Sequence, residues 1–208
     1  MPRFDLEIRD FLSPEEIDDA SVLAARAFYT DPFFVHLAPP PMLRSRGLAI
    51  FMRSTLKNLG SGGTVMNARV DGKLAGIGTW VAPGGYPYPA RQQVGQLLGT
   101  LRAFAPRPQM MPIGMRYVRA IEKAHPKGPI WYLAVLATDP EYQRAGVGTA
   151  LVEPILDRCD AEGVDAYLET QKEDNLSYYR RFGFEVVERL TPVKDGPPLW
   201  TLRRPTKG

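Results

Sequence analysis

The stretch Trp131-Tyr132-Leu133-Ala134-Val135-Leu136-Ala137-Thr138, followed after a short corner by Gln143-Arg144-Ala145-Gly146-Val147-Gly148-Thr149-Ala150, decides how this chain folds. An apolar run of strand length enters a glycine-rich turn, and an amphipathic run ending near Glu162 leaves it. Such a turn presents backbone N–H groups at the positive end of a helix, and glycines at 146 and 148 let a phosphate approach without Cβ interference. The sequence therefore predicts a pyrophosphate-binding site at this turn.

Spacing separates the folds that use such a turn. A P-loop needs Gly-Lys-Ser/Thr at the helix start, whereas Gly148 is followed by Thr149-Ala150. A dinucleotide-binding turn reads Gly-x-Gly-x-x-Gly, and Leu151 stands where the third glycine should let helix and strand pack closely. Glu169 lies about 20 residues on, where the ribose-binding acid of that fingerprint belongs. Chain position decides against it: only about 60 residues follow Gly148, too few for the βα units a doubly wound sheet still requires.

Gln143-Arg144-Ala145-Gly146-Val147-Gly148 matches every defined position of the coenzyme A turn, Gln/Arg-x-x-Gly-x-Gly/Ala, of the GCN5-related N-acetyltransferases (GNAT). The resemblance extends upstream through Leu136-Ala137-Thr138-Asp139-Pro140-Glu141-Tyr142. Downstream it runs through Tyr167-Leu168-Glu169-Thr170 and Asn175 to Tyr179-Arg180-Arg181-Phe182-Gly183-Phe184. The family resemblance implies an α/β (α+β) GNAT fold with a mixed central sheet of six to seven strands and flanking helices, formed by residues 1–208 as one domain. The C-terminal motif is similar to that of puromycin-type small-molecule N-acetyltransferases, which points to a small amine acceptor.

Composition fits a compact enzyme: 208 residues at 44% apolar can bury one good core. A single cysteine, Cys159, and two histidines far apart, His36 and His125, exclude a disulfide framework and predict no metal centre. The N-terminus lacks a signal-peptide pattern and no run approaches the ~20 apolar residues of a membrane span, so the expected location is the cytoplasm, without membrane association. A formal net charge of +3 with dispersed basic residues predicts no nucleic-acid binding. Arg203-Arg204 reads as a solvated strand end.

Phe4 to Arg9 alternates as a half-buried strand. Leu12-Ser13-Pro14-Glu15-Glu16-Ile17 then carries a helix start, with Ser13 as cap, Pro14 first, Glu16 completing the capping box and Leu12 stapled to Ile17. Pro32 to Pro41 reads as loop, Leu43 to Leu59 as a helix stopped by Gly60-Ser61-Gly62-Gly63, and Thr64 to Val70 with Lys73 to Val81 as a hairpin turned by Asp71-Gly72. Cys159 falls on the apolar face of the helix after the turn, a buried hydrophobe rather than a nucleophile. Pro154 predicts a kink there, and Gly163 the helix end. Asp165 to Thr170, Phe184 to Leu190 and Leu199 to Arg203 read as the closing strands.

Residues 83–128 exceed what a minimal version of the fold needs between its third and fourth strands. Val94, Leu97, Leu98, Leu101 and Phe104 recur at helical spacing, as do Met115, Val118, Ile121 and Ala124, so two helices are predicted, separated by Pro106 to Pro112. They form either an extra layer of core or, with Asp31-Pro32-Phe33-Phe34, a wall of the acceptor pocket. Tyr86, Tyr88, Met110, Met111 and Met115 favour the second reading.

Acyl transfer to an amine sets its own requirements. An alkylammonium with pKa near ~10.4 opposes attack at neutral pH by ~4.6 kcal/mol, so a base is valuable. A departing thiol near ~8.5 leaves only about 2 kcal/mol to overcome, so an acid is the lesser aid. The resemblance implies acetyl-CoA as co-substrate, an oxyanion-binding N–H on a strand splayed by a bulge at Leu136-Ala137-Thr138, and backbone contacts to pantetheine from Leu136 and Thr138. It also implies pyrophosphate contacts from Arg144, Ala145, Gly146, Val147, Gly148 and Thr149, with Gln143 supporting the turn and Asn175 touching the coenzyme. Tyr179, four residues before Gly183, becomes the candidate acid, its alternative being a packed ring; Tyr178 beside it reads as structural. Glu169 is the candidate base, its alternative a surface acid paired with Lys172 or Arg180. Homodimers are common in the family. Other acyl-group outcomes consistent with the turn are a non-catalytic acyl-CoA sensor, a longer acyl donor and a protein amine.

Overall fold

The computed structural model describes residues 5–59 and 63–207. Phe4 and Gly60-Ser61-Gly62, read above as part of a strand and a helix stop, lie outside them. The first strand, β1 (Leu6–Arg9), leads to a capping box at Ser13 and Glu16, where a 3-10 turn at Pro14–Glu16 precedes α1 (Ile17–Ala27). The Ser13 N–H donates to the Glu16 carboxylate at 2.9 Å, as the Ser-x-x-Glu spacing requires. There follow α2 (Pro32–Leu37), α3 (Pro41–Leu59), β2 (Gly63–Val70) and β3 (Lys73–Val81). The inserted segment supplies α4 (Ala90–Phe104) and α5 (Met111–Ala124). Then come β4 (Trp131–Thr138), α6 (Val147–Glu162), β5 (Ala166–Thr170), α7 (Asp174–Arg180), β6 (Glu185–Leu190) and β7 (Leu199–Arg204).

The seven strands form one mixed sheet in the order β1-β2-β3-β4-β5-β7-β6, with β4 and β5 as its parallel pair. Asp71 and Gly72, with φ of 49° and 77°, make the two-residue turn between β2 and β3 that the Asp-Gly dipeptide predicts. A bulge in β4 sets the faces. Trp80 pairs with Leu133 and Thr79 with Val135, leaving Ala134 as the extra residue. Because one unpaired residue reverses the alternation, Trp131 and Leu133 join the core under α6, while Val135 and Ala137 join the opposite core under α1 and α3. The bulge therefore lies two residues before the segment that the sequence assigned to it.

Two strand glycines set how closely α6 approaches the sheet. A Cβ on Gly76 would stand 2.6 Å from the Val147 side chain, and one on Gly78 3.5 Å from Leu151. The close helix–strand packing that a dinucleotide turn obtains from its third glycine is thus supplied here from β3, which is why Leu151 is accommodated. α6 runs on through Pro154, and the Trp80 indole N–H donates to the Leu151 carbonyl in the turn before it, at 3.4 Å. Cys159 is buried on this helix, its thiol pushed up to about 12 by burial.

Three expectations are corrected. Pro32 to Pro41 is not all loop: Asp31 accepts from the Phe33 N–H at 2.9 Å and caps α2, with Pro32 at the first position. Arg204 is not solvated: its side chain is 3% exposed and donates to both Asp160 oxygens, at 2.8 and 2.6 Å, and to the Phe182 carbonyl at 2.9 Å. The apolar spacing in α4 does not mark a core face. Val94, Leu97, Leu98 and Leu101 are each 44–55% exposed, whereas Phe104 is buried. The face that α4 lays on α3 carries Gly95, Gly99 and Ala103, where the Ser54 hydroxyl donates to the Gly95 carbonyl at 3.1 Å. Small residues permit that close approach and leave the larger ones outward.

Candidate active site

β4 and β5 begin side by side and then part. Trp131, Tyr132 and Leu133 pair with Ala166, Tyr167 and Leu168, and the pairing stops there, at the bulge. From Leu136 to Thr138, β4 keeps only its β3 partners, Gly78, Ile77 and Gly76. The edge turned to β5 is open, with unpaired backbone groups along the cleft.

At the end of β4, Asp139 caps a short turn by accepting from the Glu141 N–H at 3.0 Å, and Arg26 of α1 reaches Asp139 and Glu141 at 3.3 and 2.9 Å. Gln143 donates to the Thr138 carbonyl at 3.4 Å, bracing the turn against the strand that feeds it. Arg144 and Gly146 take left-handed φ values of 65° and 86°, a conformation costly for Arg144 and free for glycine. The first bond of the α6 ladder runs from the Ala150 N–H to the Gly146 carbonyl at 3.0 Å. The N–H groups of Val147, Gly148 and Thr149 precede that ladder and are free to meet an anion. With Ala145 they make one turn beside Thr138, exposed from Gln143 to Gly146 and half-buried at Gly148 and Thr149, with the Val147 side chain in the core.

The two adjacent tyrosines separate. Tyr179 is 7% exposed, its ring edge-on to Phe184 at 5.8 Å and to Tyr178 at 5.2 Å. The Tyr178 hydroxyl lies against the turn, 2.7 Å from where a Cβ on Gly148 would stand, and Thr138 Oγ1 is 3.6 Å from the same point. Its oxygen is buried without a hydrogen bond of normal geometry, with the Thr149 side chain in reach. Sequence reasoning assigned Tyr178 only a structural part, since nothing local in the sequence sets it against Gly148. The Asn175 amide donates to the Thr170 hydroxyl at 3.1 Å, tying α7 to the end of β5.

Across the cleft, Glu169 occupies β5 opposite Thr201 of β7. It is not the surface acid beside Lys172 or Arg180. Burial pushes its carboxyl up to about 7, opposed by the hydroxyls of Tyr132 and Tyr167. Those phenols hold it loosely, since neither Glu169 Oε1 nor the Tyr167 hydroxyl makes a hydrogen bond of normal geometry. The charge of Glu169 also reaches Tyr86 and Tyr88, from the segment entering α4, and raises both phenols further above their ordinary range. The inserted segment therefore meets the cleft through Tyr86 and Tyr88. Met110 lies in the core, and Met115 is 39% exposed. Phe33 of α2 packs on Tyr117 of α5 at 4.8 Å, joining the Asp31–Phe34 region to the insertion. Two surface depressions of about 480 and 450 Å³ share no residue with the cleft, so they have no part in its chemistry.

Among the described residues, no helix is long and apolar enough to cross a membrane, and no group of three or more potential ligands is placed to hold a metal ion. The acetyltransferase (GNAT) family model matches residues 22–184. An uncharacterized N-acetyltransferase of Schizosaccharomyces pombe is 34% identical over 65 residues, which are 31% of this chain and 26% of that one, so the match spans about a quarter of the relative's length. A crystal structure described as histone acetyltransferase HPA2 and related acetyltransferase, from Corynebacterium glutamicum, shares the fold. Its TM-score is 0.70 at 20% identity, covering 98% of this chain and 97% of that one. The PaiA N-acetyltransferase of Thermoplasma acidophilum, solved in complex with coenzyme A, superposes with a TM-score of 0.60 at 14% identity, covering 97% and 99%. With the splayed strands, the glycine turn and a family match over most of its length, this chain belongs to the acetyltransferase (GNAT) family.

Proposed function

We propose that the protein moves an acetyl group from acetyl-CoA to the primary amine of a small molecule by direct attack, with no acyl-enzyme. One observation carries the reading: the β4–β5 cleft runs from the N–H groups of the Gly146–Thr149 turn to the buried carboxyl of Glu169. Coenzyme pyrophosphate sits on the turn, contacted from Arg144 through Thr149, and pantetheine lies along Leu136, Ala137 and Thr138 as an added partner for the open edge. The thioester oxygen, as it gains charge, takes a backbone N–H of that edge. Glu169 accepts the proton of the incoming ammonium, a task for which a carboxyl titrating near neutrality is suited. The neutral amine nitrogen bonds to the acyl carbon, the carbon–sulfur bond breaks, the thiolate takes a proton from Tyr179, and the second proton leaving the nitrogen as the amide forms restores the Tyr179 phenol, while Glu169 releases its own to solvent. Asn175 steadies the end of β5 and the coenzyme beside it.

Calorimetric titration with acetyl-CoA, with dephospho-CoA and NAD as comparators, tests the cofactor. Selective acetyl-CoA binding followed by amine-dependent thiol release is the expected result. A preference for NAD, or no binding, would overturn the assignment. Tight acetyl-CoA binding without turnover of any small amine would favour a sensor or a protein acceptor instead.

A further inference from the structure

α3 and α4 lie antiparallel, with Gly47 against Ala103 at one end and Asn58 against Gly95 at the other, and leave between them a groove of about 450 Å³. Gly95 and Gly99 make its floor, where the lack of a side chain lets the Ser54 hydroxyl reach the Gly95 carbonyl at 3.1 Å. Its rims are Ile50, Arg53 and Lys57 of α3 and Arg102 of α4. Helical spacing extends both rims. Arg46, Ile50, Arg53 and Lys57 share one face of α3, and Arg91, Gly95, Leu98 and Arg102 one face of α4, so cations stand at both ends with apolar groups between them. Leu98 is 49% exposed and Ile50 42%, and Val94, Leu97 and Leu101 continue the apolar surface of α4 outward.

Charge decides what such a groove holds. Neither α3 nor α4 carries an aspartate or glutamate. The carboxylate that reaches the groove is Asp18 of α1, which pairs with Arg53 and lies in the field of Lys57. Among the described residues, Arg46, Lys57, Arg91 and Arg102 make no ion pair. A second copy docking here would set these cations against their own images, and a flat bilayer surface cannot fill a groove floored by two glycines. A helix can: its apolar side chains enter at i, i+3, i+4 and i+7, while acids at its two ends meet the four cations. Each rim, from Arg46 to Lys57 and from Arg91 to Arg102, spans roughly 16 Å at the helical rise, or about three turns. We propose that the α3–α4 groove docks an acidic amphipathic helix of another protein, apolar along its middle and with carboxylates at both ends, on a surface separate from the acetyl-transfer cleft.

Fluorescence anisotropy tests this with a labelled helical peptide whose leucines are spaced i, i+3, i+4 and i+7 and whose glutamates stand at both ends. One control peptide carries lysine for each glutamate, and another has the same composition in an order without helical spacing. The acidic peptide is expected to bind at least about tenfold more tightly than either, and less tightly as salt is raised. Lys57→Glu and Arg102→Glu should each weaken it by about tenfold and Leu98→Gln by about fivefold, while Arg119→Glu, at an exposed position of α5 outside the groove, leaves it unchanged. Cooperative thermal unfolding and acetyl-CoA affinity should match the wild type in all four variants, which separates loss of docking from loss of the fold and from failure of the cofactor reading. No binding of the acidic peptide, equal binding of a control peptide, or wild-type affinity in Arg102→Glu would overturn the inference. So would a dimer in sedimentation that Leu98→Gln dissolves, or pelleting with phosphatidylserine vesicles that Arg102→Glu abolishes, since these assign the face to a second copy or to a membrane.

Discussion

Glu169 carries two consequences of opposite sign at the residue scale. Its carboxyl titrates near 7 in the folded chain and near its ordinary value when unfolded, so the folded state holds the extra proton between those limits. Stability therefore falls as pH rises through that window, while the basic form needed for catalysis appears at its upper end. Glu169→Gln is expected to be more stable than the wild type at pH 8, by on the order of 2 kcal/mol in urea unfolding. It should also lose at least about a hundredfold in kcat together with the acid limb of the kcat/KM profile near pH 7. The tyrosine pair separates binding from chemistry. Tyr178→Phe should weaken coenzyme binding a few-fold with little change in kcat, and Tyr179→Phe should lower kcat by about tenfold with affinity retained. Gly146→Asp, which adds a negative charge at a left-handed position of the turn proposed to hold the pyrophosphate, should abolish coenzyme binding in calorimetry while thermal unfolding stays cooperative. The turn's conformation was legible in the sequence because Gly146 and the helix start at Val147 are set by their neighbours along the chain, whereas the β3 glycines beneath it were not. The phenols round Glu169 were only half legible: Tyr86 and Tyr88 stood out, but nothing local connects Tyr132 to it.

Among the elements, α4 separates what periodicity can and cannot tell. Apolar spacing identified the helix, yet the same spacing gave no sign that Gly95, Gly99 and Ala103, rather than the leucines, face α3. Small residues weigh little in a hydrophobic pattern, although they allow the closest helix contact. Leu98→Gln is accordingly expected to change stability by no more than about 0.5 kcal/mol, whereas Gly99→Leu, driven into Ser54 of α3, should cost several kcal/mol. Chemical unfolding of the two variants distinguishes the faces. α2 was hidden by the prolines at 39, 40 and 41, which made its surroundings read as loop, although Asp31-Pro32 is a complete helix start. The strands were readable from alternation and turn residues; the reversal of face at Ala134 was not, since a bulge depends on how many residues the neighbouring strand sets against it.

Across the whole molecule, the last strand is fastened to the central helix by one ion pair. Arg204 of β7 grips Asp160 of α6 and caps the Phe182 carbonyl beyond α7, so it joins the end of the sheet to both helices of that face. The guanidinium holds the Asp160 carboxyl down to about 2. A depressed carboxyl contributes its stability above the unfolded value and loses it as pH falls, so acid weakening should set in between about pH 4 and pH 2. Arg204→Met is expected to cost about 3 kcal/mol at pH 7 and to flatten that acid limb, as followed by circular dichroism. The glycines of β3 have a different reach. Since Gly76 and Gly78 fix how low α6 sits, the unit proposed to hold the pyrophosphate is shared between a turn and a strand far apart along the chain. Grafting residues 143–149 into another scaffold would transplant only half of that unit: without two small residues beneath it, the helix would ride high and aim its N–H groups past the ligand.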